Sequence, residues 1–220
     1  MECRAIIRKM KTREKILQKT LELINANGPT ALRIEDLSNS LKLSPGNITY
    51  YFPRKGDILR GVHEEYTKEA VALTEEMSFE GASLQDHWAY HVKVCQLQWK
   101  YRGSLLFQMA QIHSDPEGRA RDRAQLEYYY ARFKNMVSEY KKSGLLGGVK
   151  AAESLRSRDV NFLVMSTWII QYIPYASKDN LENTLNYYSY LGLKSLEPFL
   201  TEKGNKQYQS LQRKYGKRPF

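Results

Sequence analysis

The chain has 220 residues, with 34 Lys or Arg against 24 Asp or Glu, a net charge of +10. A hydrophobic fraction of 42%, with 12% aromatic residues, excludes an intrinsically disordered chain and sustains a packed core of one or two domains. Two cysteines, Cys3 and Cys95, exclude a disulfide framework and point to a reducing, cytoplasmic setting.

The positive charge is uneven. Residues 1–60 hold 12 basic and 6 acidic side chains, residues 61–200 hold 16 and 17, and residues 201–220 hold 6 and 1. A basic head and tail flank a neutral body. Such ends attract nucleic-acid phosphates or anionic lipid, although charge runs also decorate ordinary surfaces. The first residues are basic without an apolar core, so no signal peptide is expected, and Met10 offers a second possible start. The most apolar stretch, FLVMSTWIIQYIPYA over 162–176, is too short for a membrane span. A soluble protein with no membrane partner is expected.

In chain order, Ile16, Leu17, Thr20, Leu21, Leu23 and Ile24 recur at helical steps and predict an amphipathic helix over 11–26, closed by Gly28-Pro29. Arg4, Arg8, Lys9, Lys11, Arg13 and Lys15 form a basic N-terminal arm suited to a minor groove. Ile34, Leu37 and Leu41 mark a second, short helix, with Glu35 and Asp36 in the first turn where the helix dipole favours them. Ser44 as N-cap and Pro45 in the first helical position open a third helix over 45–51, which Pro53 stops. Three short helices with a tight turn between the last two make a helix-turn-helix. Longer helices follow over 55–77, 83–102, 104–113, 116–143, 153–176 and 179–202, then a short one over 206–214, with Asp115-Pro116 and Asp179 as helix starts. The fold class is all-α. The expected domains are 1–56, a helix-turn-helix with its basic arm; 57–205, a helical effector-binding and dimerisation domain; and 206–220, a basic tail.

The segment Gly28–Leu59, GPTALRIEDLSNSLKLSPGNITYYFPRKGDIL, resembles the N-terminal domain of TetR/AcrR-type transcriptional regulators. The glycine closing the first helix, the Asp36-Leu37 pair, the run S-P-G-N-I-T-Y-Y-F and Lys55 carry the likeness. It departs from the family's usual pattern at Leu32 and Arg33, where Thr or Ser often stands, at Pro45, where Lys or Arg is common, and at Tyr51, where His is common. Thr30 is then left to cap the second helix, and Arg33 to meet a phosphate.

A recognition helix must be slim where it enters a major groove, and Gly46 meets that need while its first-turn amides suit a phosphate oxygen. Asn47, Thr49 and Tyr50 are placed to reach base edges, and Lys55 to hold a phosphate. Pro45 opens the helix beside them. Tyr51 serves either the DNA face or the core, a core role it shares with Phe52.

In the body, Trp88, His91, Val92, Cys95 and Trp99 share one helix face, and ordinary core packing explains them. The resemblance implies an effector pocket in this region. Its expected lining is Trp88, His91, Cys95, Trp99, Phe107, Tyr129, Phe133, Trp168 and Tyr172, suited to a small aromatic or apolar ligand. His87, His91 and Cys95 have metal-ligand spacing, but one helix cannot complete a ligand set, and His63 and His113 stand elsewhere. No metal or other cofactor is expected. The apolar helices near the end imply, through the resemblance, a homodimer joined through Phe162, Met165, Trp168, Ile169, Leu185, Tyr188 and Leu196.

The reading is of a one-component transcriptional regulator, usually a repressor, that binds a near-palindromic operator as a dimer and is released by a small molecule. The alternative is a helical DNA-binding dimer without such a ligand, controlled by a protein partner. An enzyme is disfavoured because G-x-S-x-G, P-loop, G-x-G-x-x-G and H-E-x-x-H runs are absent.

Overall fold

The computed structural model describes residues 2–111, 116–177 and 179–219, and among them all side chains except those of 2–10, 111, 117 and 122. The helices are α1 (Glu2–Asn27), α2 (Ile34–Leu41), α3 (Pro45–Tyr51), α4 (Lys55–Glu76), α5 (Leu84–Lys100), α6 (Arg102–Gln111), α7 (Pro116–Lys142), α8 (Ala151–Tyr172), α9 (Leu181–Leu193) and α10 (Glu202–Tyr215). Short 3-10 turns follow α8 and α9, at Ile173–Tyr175 and Lys194–Phe199. Among the described residues the β-structure is one isolated bridge, Leu146 to Leu200, so the fold is all-α. Among the described residues no helix is long and apolar enough to cross a membrane.

Where bounds differ from expectation, local chemistry explains it. The long helix expected over 179–202 breaks at the Lys194–Phe199 turn, because Pro198 has no amide hydrogen to continue the ladder. Pro174 converts the end of α8 into a 3-10 turn in the same way. α8 begins at Ala151, two residues early, because the Glu153 carboxylate accepts from the Lys150 amide at 2.9 Å. α1 runs back to Glu2, so the expected arm is a continuation of the first helix. Arg4, Arg8 and Lys9 lie outside the described side chains, and His113 and Asp115 outside the described residues.

The chain forms two compact units. Met1–Val71 with Lys100–Pro116 make the first, and Ala72–Trp99 with Glu117–Phe220 the second. The linear boundary expected at residue 56 is displaced because Asn25 ties the end of α1 to the α5–α6 turn. Its Nδ2 donates to Lys100 O at 2.7 Å, and its Oδ1 accepts from Gly103 N at 2.9 Å. Gly103 makes that approach possible, since a Cβ there would fall 2.6 Å from Ile24 O. Ile16, Leu17, Ile24, Leu32, Leu37, Ile48, Phe52, Ile58, Leu59 and Val62 form this unit's buried interior. Each such side chain contributes roughly 1.5–3 kcal/mol by leaving water.

In the second unit, α10 is built into the body. Tyr208 and Leu211 are buried, Gln207 Oε1 accepts from the Leu84 amide at 2.9 Å, and Tyr215 stacks on Trp88 at 4.2 Å. Helices α5, α8 and α9 close on Gly192, where a Cβ would lie 2.7 Å from His91 Nδ1 and 2.8 Å from Met165 Sδ. Ser157 Oγ donates to Ser195 O at 2.6 Å, and Asn161 Nδ2 to Gly192 O at 2.9 Å. Beside this crossing the buried rings of His87 and His91 lie 4.4 Å apart.

Burial, together with the neighbouring His91, holds the His87 imidazole well below its ordinary value, and burial lowers His91 to about 4. Both are neutral in the folded chain at pH 7. The unfolded chain takes up protons near pH 6.5 that the fold refuses, so stability is full above pH 7 and falls as pH drops from about 6.5 toward 4. The slope should reach at most about 2.7 kcal/mol per pH unit for two protons. Urea unfolding between pH 8 and pH 5 checks this, and a flat profile would contradict it.

Candidate nucleic-acid interface

Local hydrogen bonds set α3. The left-handed backbone of Lys42 (φ 53°) ends α2, and Leu43 N donates to Ser38 O at 3.1 Å while Ser38 Oγ donates back to Leu43 O. Ser44 Oγ then accepts from Asn47 N at 3.2 Å, with Pro45 in the first turn. The start and end of α3 are those read from Ser44, Pro45 and Pro53. Ile48 is fully buried and anchors the inner face. On the other side Pro45, Gly46, Asn47, Thr49 and Tyr50 are exposed, Tyr50 at 66%. Phe52 takes the core position. Tyr51 is half-buried, its ring edge-on to Tyr50 at 5.3 Å.

Thr30, Lys55, Thr49 and Arg13 differ from expectation. Arg33 is the N-cap of α2, exposed and in extended backbone, and no side chain caps the helix, so Thr30 does not take that role. Instead the Thr30 carbonyl accepts from Lys55 Nζ at 3.0 Å, and Lys55 is half-buried. Lys55 thus fastens the α1–α2 loop to the start of α4, with two ammonium protons left for a phosphate. Thr49 Oγ1 donates to Gly46 O at 3.2 Å, which leaves it an acceptor outward. Arg13, expected in the arm, lies 5.3 Å over the Phe52 ring and 4.0 Å from Glu64. Exposed Lys42 and Arg54 flank α3 and were not singled out, although their charge beside the turn was a signal.

The body residues divide differently from the expected pocket. Phe107 belongs to the first unit, and Trp88, His91, Cys95, Trp99, Tyr129, Phe133, Trp168 and Tyr172 to the second. Most of these are occupied. Trp88 Nε1 donates to Asn186 O at 3.2 Å, His91 Nδ1 to Ser189 O at 3.2 Å, and Trp168 Nε1 to Gln98 Oε1 at 2.6 Å. The Tyr172 hydroxyl donates to Asn180, and Trp99 lies 5.2 Å from the Tyr172 ring. Tyr129 and Phe133 are half-buried. Cys95 is fully buried and its thiol is pushed up to about 12, so it stays protonated and unreactive. Among the described residues no group of three or more His, Cys, Asp or Glu is placed to hold a metal ion.

The expected seam residues also move inward. Met165, Trp168, Ile169, Leu185, Tyr188 and Leu196 are buried within the single chain, and Phe162 alone of the set is exposed, at 38%. Along α8 and the turn after it, Leu155, Val160, Leu163, Ile170, Ile173 and Tyr175 are exposed as well, and sequence periodicity did not separate them from the core.

Two substitutions separate shape from charge. A Cβ on Gly46 would meet nothing within 4 Å, so Gly46→Ala should leave the fold intact or raise its stability by up to about 1 kcal/mol. It should still weaken binding to a selected duplex by crowding the groove; melting and fluorescence anisotropy measure the two effects. Arg33→Ala should keep the parent's melting point, weaken all duplexes alike and lower the salt slope by about one. Lys55→Ala should instead lose about 0.5–1.5 kcal/mol of stability, because its bond to Thr30 O goes with it.

A family model described as "TetR: Bacterial transcriptional repressor" matches residues 65–208, more than half of the chain and largely beyond the segment that carries the helix-turn-helix likeness. No curated protein matches the chain. Among solved structures, a TetR-family transcriptional regulator from Marinobacter aquaeolei VT8 superposes with a TM-score of 0.81 at 24% identity, covering 93% of this chain and 98% of that one. A transcriptional regulator from Aquifex aeolicus VF5 superposes at 0.56 with 16% identity, over 85% and 96%. These likenesses concern the fold. The match to the family model, joined to the exposed α3 on its buried Ile48 anchor, places this chain in the TetR family of bacterial transcriptional regulators.

Proposed function

We propose that the protein is a repressor that binds a near-palindromic operator as a two-fold homodimer and is released when a small effector binds its second unit. The observation that carries this reading is the outward face of α3, where Gly46, Asn47 and Tyr50 stand exposed on a helix held by Ile48. Asn47 and Tyr50 read base edges, with Thr49 as an acceptor. Arg33, the Gly46 amides and the remaining protons of Lys55 meet phosphates, while Pro45 and Tyr51 bound the contact.

The dimer reading rests on α8. Leu155, Phe162, Leu163 and Ile170 are exposed and recur at helical steps, with Ile173 continuing them in the turn that follows, while Met165, Trp168, Ile169 and Tyr172 fill the buried face. An apolar stripe of this length on the helix surface suits a second copy of the same helix across a two-fold axis. The half-sites then lie about one helical turn, ~34–36 Å, or a multiple of it, apart. An effector acts by binding one spacing of the two α3 helices better than the other.

Selection of bound duplexes from a random pool should return inverted repeats, and light scattering should give the mass of a dimer. Leu163→Glu places a charge on a side chain that is 61% exposed in the single chain, so it should leave the protomer folded. It should also give monomers that bind the selected operator at least about tenfold more weakly. A Leu163→Glu protein that remains dimeric would contradict the seam on α8.

A further inference from the structure

Three buried side-chain atoms among the described residues have no hydrogen-bond partner: His87 Nδ1, Arg132 Nε and Tyr140 OH. All three groups surround one ring. From the centre of Phe79, Arg132 Cζ is 5.2 Å away, the His87 ring 5.8 Å and the Tyr140 ring 6.2 Å, and the His87 and Tyr140 rings are 5.8 Å apart. Elsewhere in the same unit, comparable buried groups are satisfied, as in the bonds from Trp88 to Asn186 and from Trp168 to Gln98, and the shared bond of Tyr190 and Tyr208. Unmade bonds in a protein interior are costly and rare, so three around a single ring mark a site.

The chemistry of the three groups defines what fits. Arg132 Nη2 donates to Thr74 O at 2.8 Å and to Met77 O, so the guanidinium is held by carbonyls and its Nε–H is left over. Burial raises the Tyr140 hydroxyl well above its ordinary range, helped by the Asp86 carboxylate, so it keeps its proton. Asp86 does not take that proton, because its Oδ2 accepts from Ser83 N and Ser83 Oγ at 2.9 and 2.6 Å. His87 is neutral, so its Nδ1 donates in one tautomer and accepts in the other. The two fixed donors, Arg132 Nε–H on a cation and Tyr140 O–H, call for an anionic acceptor, and the Phe79 and Tyr140 rings call for a flat apolar body. Phe79 stands in the connection between α4 and α5, near Gly81 with its φ of 69°, a short segment able to turn the ring aside.

We propose that this cluster binds an aromatic monocarboxylate, one oxygen on Arg132 Nε–H, the other on Tyr140 O–H, with the aromatic ring against Phe79. The proposal rests on the reading of an effector-released regulator and gives that effector a chemical class.

Sodium benzoate, benzamide and benzyl alcohol are the probes, titrated by calorimetry into the parent and into Tyr140→Phe. That substitution removes only an unpartnered hydroxyl, so the variant should fold and melt at or above the parent's temperature. Benzoate should bind the parent, benzamide and benzyl alcohol more weakly, and Tyr140→Phe should lose about tenfold in benzoate affinity. Benzoate binding both proteins equally, or neither, overturns the site, and benzamide binding as tightly as benzoate overturns the acid. If benzoate fails while another compound releases operator, this assignment falls and the effector reading stands. If no compound releases operator, the effector reading falls, whatever benzoate does.

Discussion

The approach of three helices at Gly192 governs the second unit. With His91 and Met165 each less than 3 Å from where a Cβ would be, any other residue there would have to push α5 and α8 away from α9. Polar bonds hold the crossing from either side, Asn161 onto the Gly192 carbonyl and Ser157 onto the Ser195 carbonyl. Close approach brings dispersion and shape complementarity that a looser crossing would lose. It also fixes the rotation of α8. Once Met165 points at Gly192, Trp168 at Gln98 and Tyr188, and Tyr172 at Trp99 and Asn180, Leu155, Leu163 and Ile170 have nowhere to go but out. The same packing seals His87 and His91 away from water, which ties the histidine pair to the stability of the body.

The first unit follows a different economy. Its third helix, α3, is only seven residues long and cannot stand on propensity. It depends on one buried isoleucine, one serine cap and a short turn. The restraint that sequence reading assigned to a phosphate, Lys55, spends part of its capacity on the loop between α1 and α2. This makes the outer face of α3 largely free of structural duties. Asn47 and Gly46, both exposed, can be substituted without unfolding the domain that carries them.

Helix ends were the most legible part of the chain, because proline, glycine and serine act through backbone chemistry that needs no tertiary context. Ser44, Pro45 and Pro53 bound α3 as read, and Gly28, with a φ of 82°, ends α1. The inward and outward faces of α8 were not legible. The second half of that helix, from Phe162 on, is apolar nearly all round, so a 3.6-residue period selects no face there, and Trp168 and Leu163 look equally suited to a seam. Only the packing at Gly192 separates them. The polar partners of Arg132 were equally hidden, since they are carbonyls, and every residue type carries one. His87, His91 and Cys95 were legible as a row on one helix face but not as a buried row, because spacing carries no information on depth.

The end of α4 is closed in a way that differs from α1 and α7. Those two helices finish on glycines with left-handed backbone, Gly28 bonding to Ile24 O at 3.0 Å and Gly144 to Lys141 O at 3.1 Å, closures made within the local chain. The carbonyl of Thr74 in the last turn of α4, and that of Met77 just past its end, are closed by a side chain from α7, the guanidinium of Arg132. A local backbone cap offers nothing for a ligand to grasp. A side-chain cap does, because whatever draws Arg132 away leaves two carbonyls without a donor and loosens the last turn of α4. The crossing at Gly192 is set by close backbone approach, whereas the end of α4 is set by one guanidinium whose Nε is left without a partner.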